Sequence, residues 1–163
     1  MMRLVLALAL AGALPALAFE ANGLRLGAPE AEVTRGLPSA RCKALEWKSE
    51  AADRRCDDSR VAFGGVTARI TVYLKAGTVQ AFHIRFDGRD LERMKTHFRV
   101  AYGAPAAEVT ELIARGDKGE RRVFKMRWEK GAERAVLTAL ENSKRAGLEA
   151  WRGNFDTEIY RVK

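Results

Sequence analysis

The stretch that most constrains this chain runs over residues 66–103, where a two-residue hydrophobic period gives way to a helical one. From Ala68, the residues Ala68, Ile70, Val72 and Leu74 alternate with Arg69, Thr71, Tyr73 and Lys75. Successive side chains of a strand point to opposite faces, so this is a half-buried strand. Ala76-Gly77 supplies the turn, glycine tolerating the positive φ of tight hairpins. The returning strand spans residues 78–86. Gln80, Phe82, Ile84 and Phe86 are expected on its core face, and Val79, Ala81, His83 and Arg85 on the other.

Asp87-Gly88 ends the alternation. Leu91, Met94, Phe98, Ala101 and Tyr102 then recur at steps of three and four, one stripe of an amphipathic helix. Asp87 is placed to cap it, and Asp90 and Glu92 favour the positive end of its dipole. Gly103 and Pro105 end it. The Met-Phe-Tyr stripe is expected to lie across the Phe-Ile-Phe face of the hairpin.

The rest of the chain reads as cover for this unit or repetition of it. Arg3 followed by the apolar residues 4–14 and the small-x-small triplet Ala16-Leu17-Ala18 has the form of a secretory signal peptide, cleaved after Ala18. That predicts a periplasmic or secreted protein, with a mature chain free of transmembrane segments and forming a single domain over residues 19–163. In an oxidising compartment, the two cysteines of the sequence, Cys42 and Cys56, are expected to form a disulfide. Pro29 opens a short helix that buries Val33 and Leu37 and ends at Gly36-Leu37-Pro38. Residues 41–60, dense in both charges, read as a surface excursion tied by that disulfide, with a first short strand at 61–63. Residues 106–113 fit either a helix or a strand. Strands are expected at 121–129, 134–140 and 157–162, with a polar loop at 142–147, and Leu148 and Trp151 covering a sheet edge.

Short turns between strands make the pairing antiparallel. The expected class is therefore α+β: an antiparallel sheet with helices packed on one face. Its order suggests two halves, 19–86 and 87–163, each a helix followed by a meander. The motifs GLRLGAPEAEVTRGLP and ARITVYLKAGTVQAFHIRF, the latter followed by a helix ending in YGAP, resemble small exported bacterial proteins. The pattern is similar to the SmpA/BamE type of outer-membrane assembly lipoprotein and, in duplicated form, to the β-lactamase-inhibitory-protein type. The resemblance implies a helix-on-sheet fold used for protein contacts, without catalysis. It transfers no binding residue, and this chain lacks the lipidated cysteine.

No HExxH, GxSxG, P-loop or GxGxxG motif is present. The only histidines are His83 and His97, and no spacing pairs either with a nucleophile, so no catalytic residue, metal ligand or cofactor is assigned. The net charge of +8 suits an anionic partner, but many exported proteins are basic without one, so charge alone decides little. Arg121, Lys125 and Arg127 would share one face of their strand. Arg69, Lys75 and Tyr73 would extend that surface if the two hairpins share a sheet. Phe124, Met126 and Trp128 point inward, away from these charges, which argues against a stacking surface for nucleic acid. The reading is a non-enzymatic protein that binds another protein or an anionic envelope component through a sheet face. The alternatives are an inhibitor of a hydrolase, and a hydrolase using His83 or His97.

Overall fold

The computed structural model describes residues 18–161; the expected signal peptide, but for Ala18, lies outside them. One eight-stranded antiparallel sheet organises the chain. Its first meander is β3 (Arg41–Ala44), β4 (Arg54–Phe63), β5 (Val66–Lys75) and β6 (Thr78–Phe86); its second is β7 (Ala107–Ala114), β8 (Glu120–Lys130), β9 (Glu133–Leu140) and β10 (Ala146–Arg152). The strand order is β3-β4-β5-β6-β10-β9-β8-β7, so the meanders join through their last strands. Helix α1 (Glu30–Gly36) precedes the first meander and α2 (Leu91–Tyr102) the second. A two-residue ladder of β1 (Glu20–Ala21) and β2 (Leu24–Arg25) leads in, and a single turn, α3 (Phe155–Glu158), follows β10.

The β5–β6 hairpin forms as the alternation predicts, with one refinement. Ala76 and Gly77 both adopt positive φ, 47° and 72°, as a two-residue turn with the twist of the strands requires. Such a turn pairs even-numbered positions of one strand with odd-numbered positions of the other. Yet the apolar sets of both strands are even-numbered, so an unbroken hairpin would set core side chains of one against polar side chains of the other. A bulge resolves the conflict: Leu74 pairs with Val79 and Tyr73 with Ala81, leaving Gln80 as the extra residue. Val79 therefore joins the core in place of Gln80, while Phe82, Ile84 and Phe86 stay there.

Asp87 caps a 3₁₀ turn, Gly88–Asp90, that leads into α2, its side chain accepting from the Arg89 amide at 3.0 Å. Met94, Phe98 and Tyr102 are buried in the same cluster as Phe82, Ile84 and Phe86; Ala101, expected on the stripe, is exposed. Each fully buried side chain of this size contributes roughly 1.5–3 kcal/mol. The aromatic rings of Phe19, Phe98, Tyr102 and Trp128 meet here, with centroids 4.9–6.5 Å apart. Two polar ends are satisfied within the cluster: the Tyr102 hydroxyl donates to the Glu20 carbonyl at 2.7 Å, and Trp128 Nε1 to that of Gly103 at 2.9 Å. From α1, Val33 joins the same core, as does the following Leu37.

Three expectations change and one open alternative is settled. Residues 54–63 are one strand rather than an excursion before a short strand. Their charges masked it, because β4 lies next to the edge and hydrogen bonds there do not require apolar alternation. The ambiguous segment is strand β7, in eight register pairs with β8. Leu148 and Trp151 belong to the central strand β10, not to an edge cover. Its Ala and Gly residues are poor strand formers in isolation, but small side chains suit the seam between two meanders. Of the final strand expected at 157–162, the described part is instead the end of α3 and a turn; residue 162 lies outside.

Residues 45–53 close over the sheet at its end near α3. There Leu45 and Trp47 pack against a smaller cluster of Ala51, Ala52, Tyr73, Ala81, Trp151, Phe155 and Ile159. Trp47 Nε1 donates to the Ile159 carbonyl at 2.8 Å, holding the C-terminal turn. The disulfide joins Cys42 to Cys56, directly opposed on β3 and β4.

Two outcomes follow from this packing. A Cβ on Gly147 would come within 2.8 Å of the Ile84 carbonyl oxygen across the β6–β10 seam. Gly147→Ala is therefore expected to cost about 1–3 kcal/mol in urea unfolding, whereas Gly36→Ala, with ordinary contacts at 3.6 Å or more, stays neutral or slightly stabilises. Replacing both cysteines by serine closes no loop in the unfolded chain, and a loss of roughly 3 kcal/mol is expected by the same assay.

Candidate functional site

Directly opposed residues of adjacent antiparallel strands share a face, so the register defines rows across the sheet. One row turned away from the large core runs Arg69, Arg85, Gly147, Thr138, Lys125 and Val109, from β5 to β7. The next runs Thr71, His83, Glu149, Val136 and Arg127. Gly147 has no side chain to fill its place, and a depression of about 960 Å³ opens there. Its lining includes Arg69, His83, Arg85, Asp87, Lys144, Arg145 and Glu149.

Charge is unbalanced in this depression. Arg69 and Arg85 face each other across β5 and β6, an arrangement that costs energy for like charges. Among the described residues, Arg69, Arg85, Lys144 and Arg145 have no ion-pair partner, whereas Arg55, Arg122, Lys125 and Arg127 each have one. Asp87 is engaged chiefly by Arg89, whose hydrogen bonds hold its pKa down to about 2, with a weaker attraction from Lys144.

The six residues expected to form one anionic-partner surface do share the sheet, but are dispersed over it. Arg69 is exposed in the depression. Lys125 is half-buried and donates to Glu111 at 2.7 Å, and Arg127 lies 3.5 Å from Glu129. From the β5 row to β8 is about 19 Å, four strand spacings of about 4.8 Å. Arg121 lies farther out on the β7–β8 hairpin. Lys75 is at the opposite end, donating to the Ser49 carbonyl at 3.4 Å. Tyr73 is not on the surface at all. It is 4% exposed, its ring 5.3 Å from Phe155 and 5.0 Å from His83, and burial pushes its hydroxyl up to about 12. The C-terminal turn, expected as a strand, covers it.

Sequence reasoning missed Arg85, Lys144 and Arg145. Arg85 carried a usable signal, since it alternates onto the same face as Ala81 and His83. Lys144 and Arg145 carried none, because only the insertion of β10 beside β6 brings the β9–β10 turn to this place.

The two histidines lie on opposite sides of the sheet. His97 packs on Phe63 and Phe98 of the large core, and burial lowers its pKa. His83 is buried beside Tyr73 and Phe155, with Nδ1 3.9 Å from Glu149, too far for a hydrogen bond. Burial depresses the His83 pKa, against the attraction of Glu149 and with a further push from Arg85. Neither ring is hydrogen-bonded to a hydroxyl among the described residues, and Thr71, opposite His83, donates its own to Asp57 at 2.7 Å. The group of potential metal ligands at Glu30, Cys42 and Cys56 has both sulfurs committed to the disulfide. No family model, curated protein or solved structure matches this chain.

Because the folded state holds His83 neutral more firmly than the unfolded chain does, the unfolded state binds the extra proton first on acidification. Stability is therefore full above the ordinary histidine value of 6.5 and falls as pH drops below it. Urea midpoints at pH 7.5 and 5.5 are expected to differ accordingly, with the difference reduced in His83→Gln.

Proposed function

We propose that this is an exported, non-enzymatic protein that binds an anionic partner, another protein or an envelope component, through the sheet face bearing Arg69 and Arg85. In this reading α1 and α2 back the sheet, the opposite face is left for contact, and the two helix-then-meander halves form one duplicated unit. The observation that carries it is the depression over Gly147, where four cations without ion-pair partners surround a floor that lacks a side chain. Two opposed arginines at the same register gain most when an oxyanion bridges them, since guanidinium forks bind carboxylate or phosphate bidentately. The basic balance of the whole chain would assist encounter.

The disulfide supports an oxidising compartment. No helix among the described residues is long and apolar enough to cross a membrane. His83 supports no turnover chemistry in this reading; it is a packed, neutral ring in the wall of the site.

The test is capture from envelope extract by the residue 19–163 chain under mild crosslinking. The double variant Arg69→Glu/Arg85→Glu is expected to lose at least about tenfold in retention of the captured component. Raising salt should weaken the wild type and leave the variant little changed. Capture that is indifferent to both would sink the proposal.

A further inference from the structure

The two edges of the sheet are finished differently. The β3 edge has four residues, carries Arg41 and Lys43, and is pinned by the disulfide. Short length and basic side chains are the usual devices that keep an edge from pairing with another chain. The β7 edge has none of them. It is eight residues long, without a bulge against β8, and contains no Lys, Arg or Pro. Every residue from Glu108 to Ala114 is exposed. Of the five large hydrophobic side chains exposed among the described residues, three are here: Val109 at 44%, Leu112 at 61% and Ile113 at 45%. Its two carboxylates are already neutralised within the chain, Glu108 by Arg99 and Glu111 by Lys125.

We infer that β7 pairs with β7 of a second copy, antiparallel, about a two-fold axis through Glu111. The occupant follows from self-complementarity. A two-fold axis perpendicular to the sheet keeps each side chain on its own face, so the centre must fall on a residue. Centred on Glu111, Val109 meets Ile113 of the second copy on one face, and Thr110 meets Leu112 on the other, each twice. β-Branched and apolar cross-strand pairs of this kind stabilise a ladder. Centred on Thr110, each glutamate would instead face Val109 or Leu112. The cost of opposing the two Glu111 side chains is offset by a Lys125 beside each, a row of four charges with no net charge. The result is one sixteen-stranded sheet in which the two depressions lie on the same side. This inference stands on the edge alone and does not depend on the proposed anionic partner.

The mature chain is expected to show a concentration-dependent monomer–dimer equilibrium by sedimentation up to about 1 mM. Val109→Lys/Ile113→Lys should be monomeric throughout, with an unchanged far-ultraviolet spectrum. In Glu111→Cys, the new thiols meet across the axis and should form an interchain disulfide in air; in Glu108→Cys, whose partner would be Ala114, they should not. A wild type that stays monomeric at every concentration overturns the inference. So does a dimer untouched by the lysine variants, or crosslinking as fast through residue 108 as through residue 111. If the lysine pair fails to fold, the comparison of the two cysteine variants still decides.

Discussion

The fold depends on the close approach of two backbones at the β6–β10 seam. Among the described residues, the strands of the two meanders pair through six register positions, from Ala146 with Phe86 to Trp151 with Ala81. On the core side the seam places Phe82 and Ile84 beside Leu148 and Ala150, so the cluster beneath α2 is shared by both halves. On the other side it sets Gly147 against Arg85, where no larger residue fits the backbone spacing. Without this pairing each meander would be a four-stranded sheet with an exposed edge and half a core.

The same constraint gives the open face its character. A continuous sheet normally fills each register position with side chains. Here the seam requires glycine at the centre, and the cations on either side are left around a gap. The bulge at Gln80 adds to the effect: without the extra residue, Arg69 would oppose Ile84 rather than Arg85. Two devices that serve packing thus concentrate positive charge at one place. That charge carries an energetic cost in the isolated chain, as unrelieved polar features at functional sites often do.

The cover over the sheet's end near α3 is built from the least regular parts of the chain. Trp47 and Tyr160 stack at 5.8 Å, and Trp47 ties residues 45–53 to the C-terminal turn. These pieces bury Tyr73 and wall in His83, restricting the accessible polar surface to the rows beyond them. Trp151 Nε1 is buried there without a hydrogen-bond partner, the one such side-chain atom among the described residues.

The sequence by itself determined what is local. Periodicity gave β5, β6 and α2, and the Ala76-Gly77 turn gave the hairpin, because each depends on neighbours a few residues apart; the two cysteines of the sequence, though 14 residues apart, had only each other to pair with. Tertiary structure decided the rest. It made β4 and β10 strands despite charge and small residues, since pairing partners far along the chain supply their hydrogen bonds. It turned the C-terminal segment into a cover over Tyr73, and it brought Lys144 and Arg145 to Arg69 and Arg85. Alternation tells which way a side chain points, but only strand order and register tell what stands beside it.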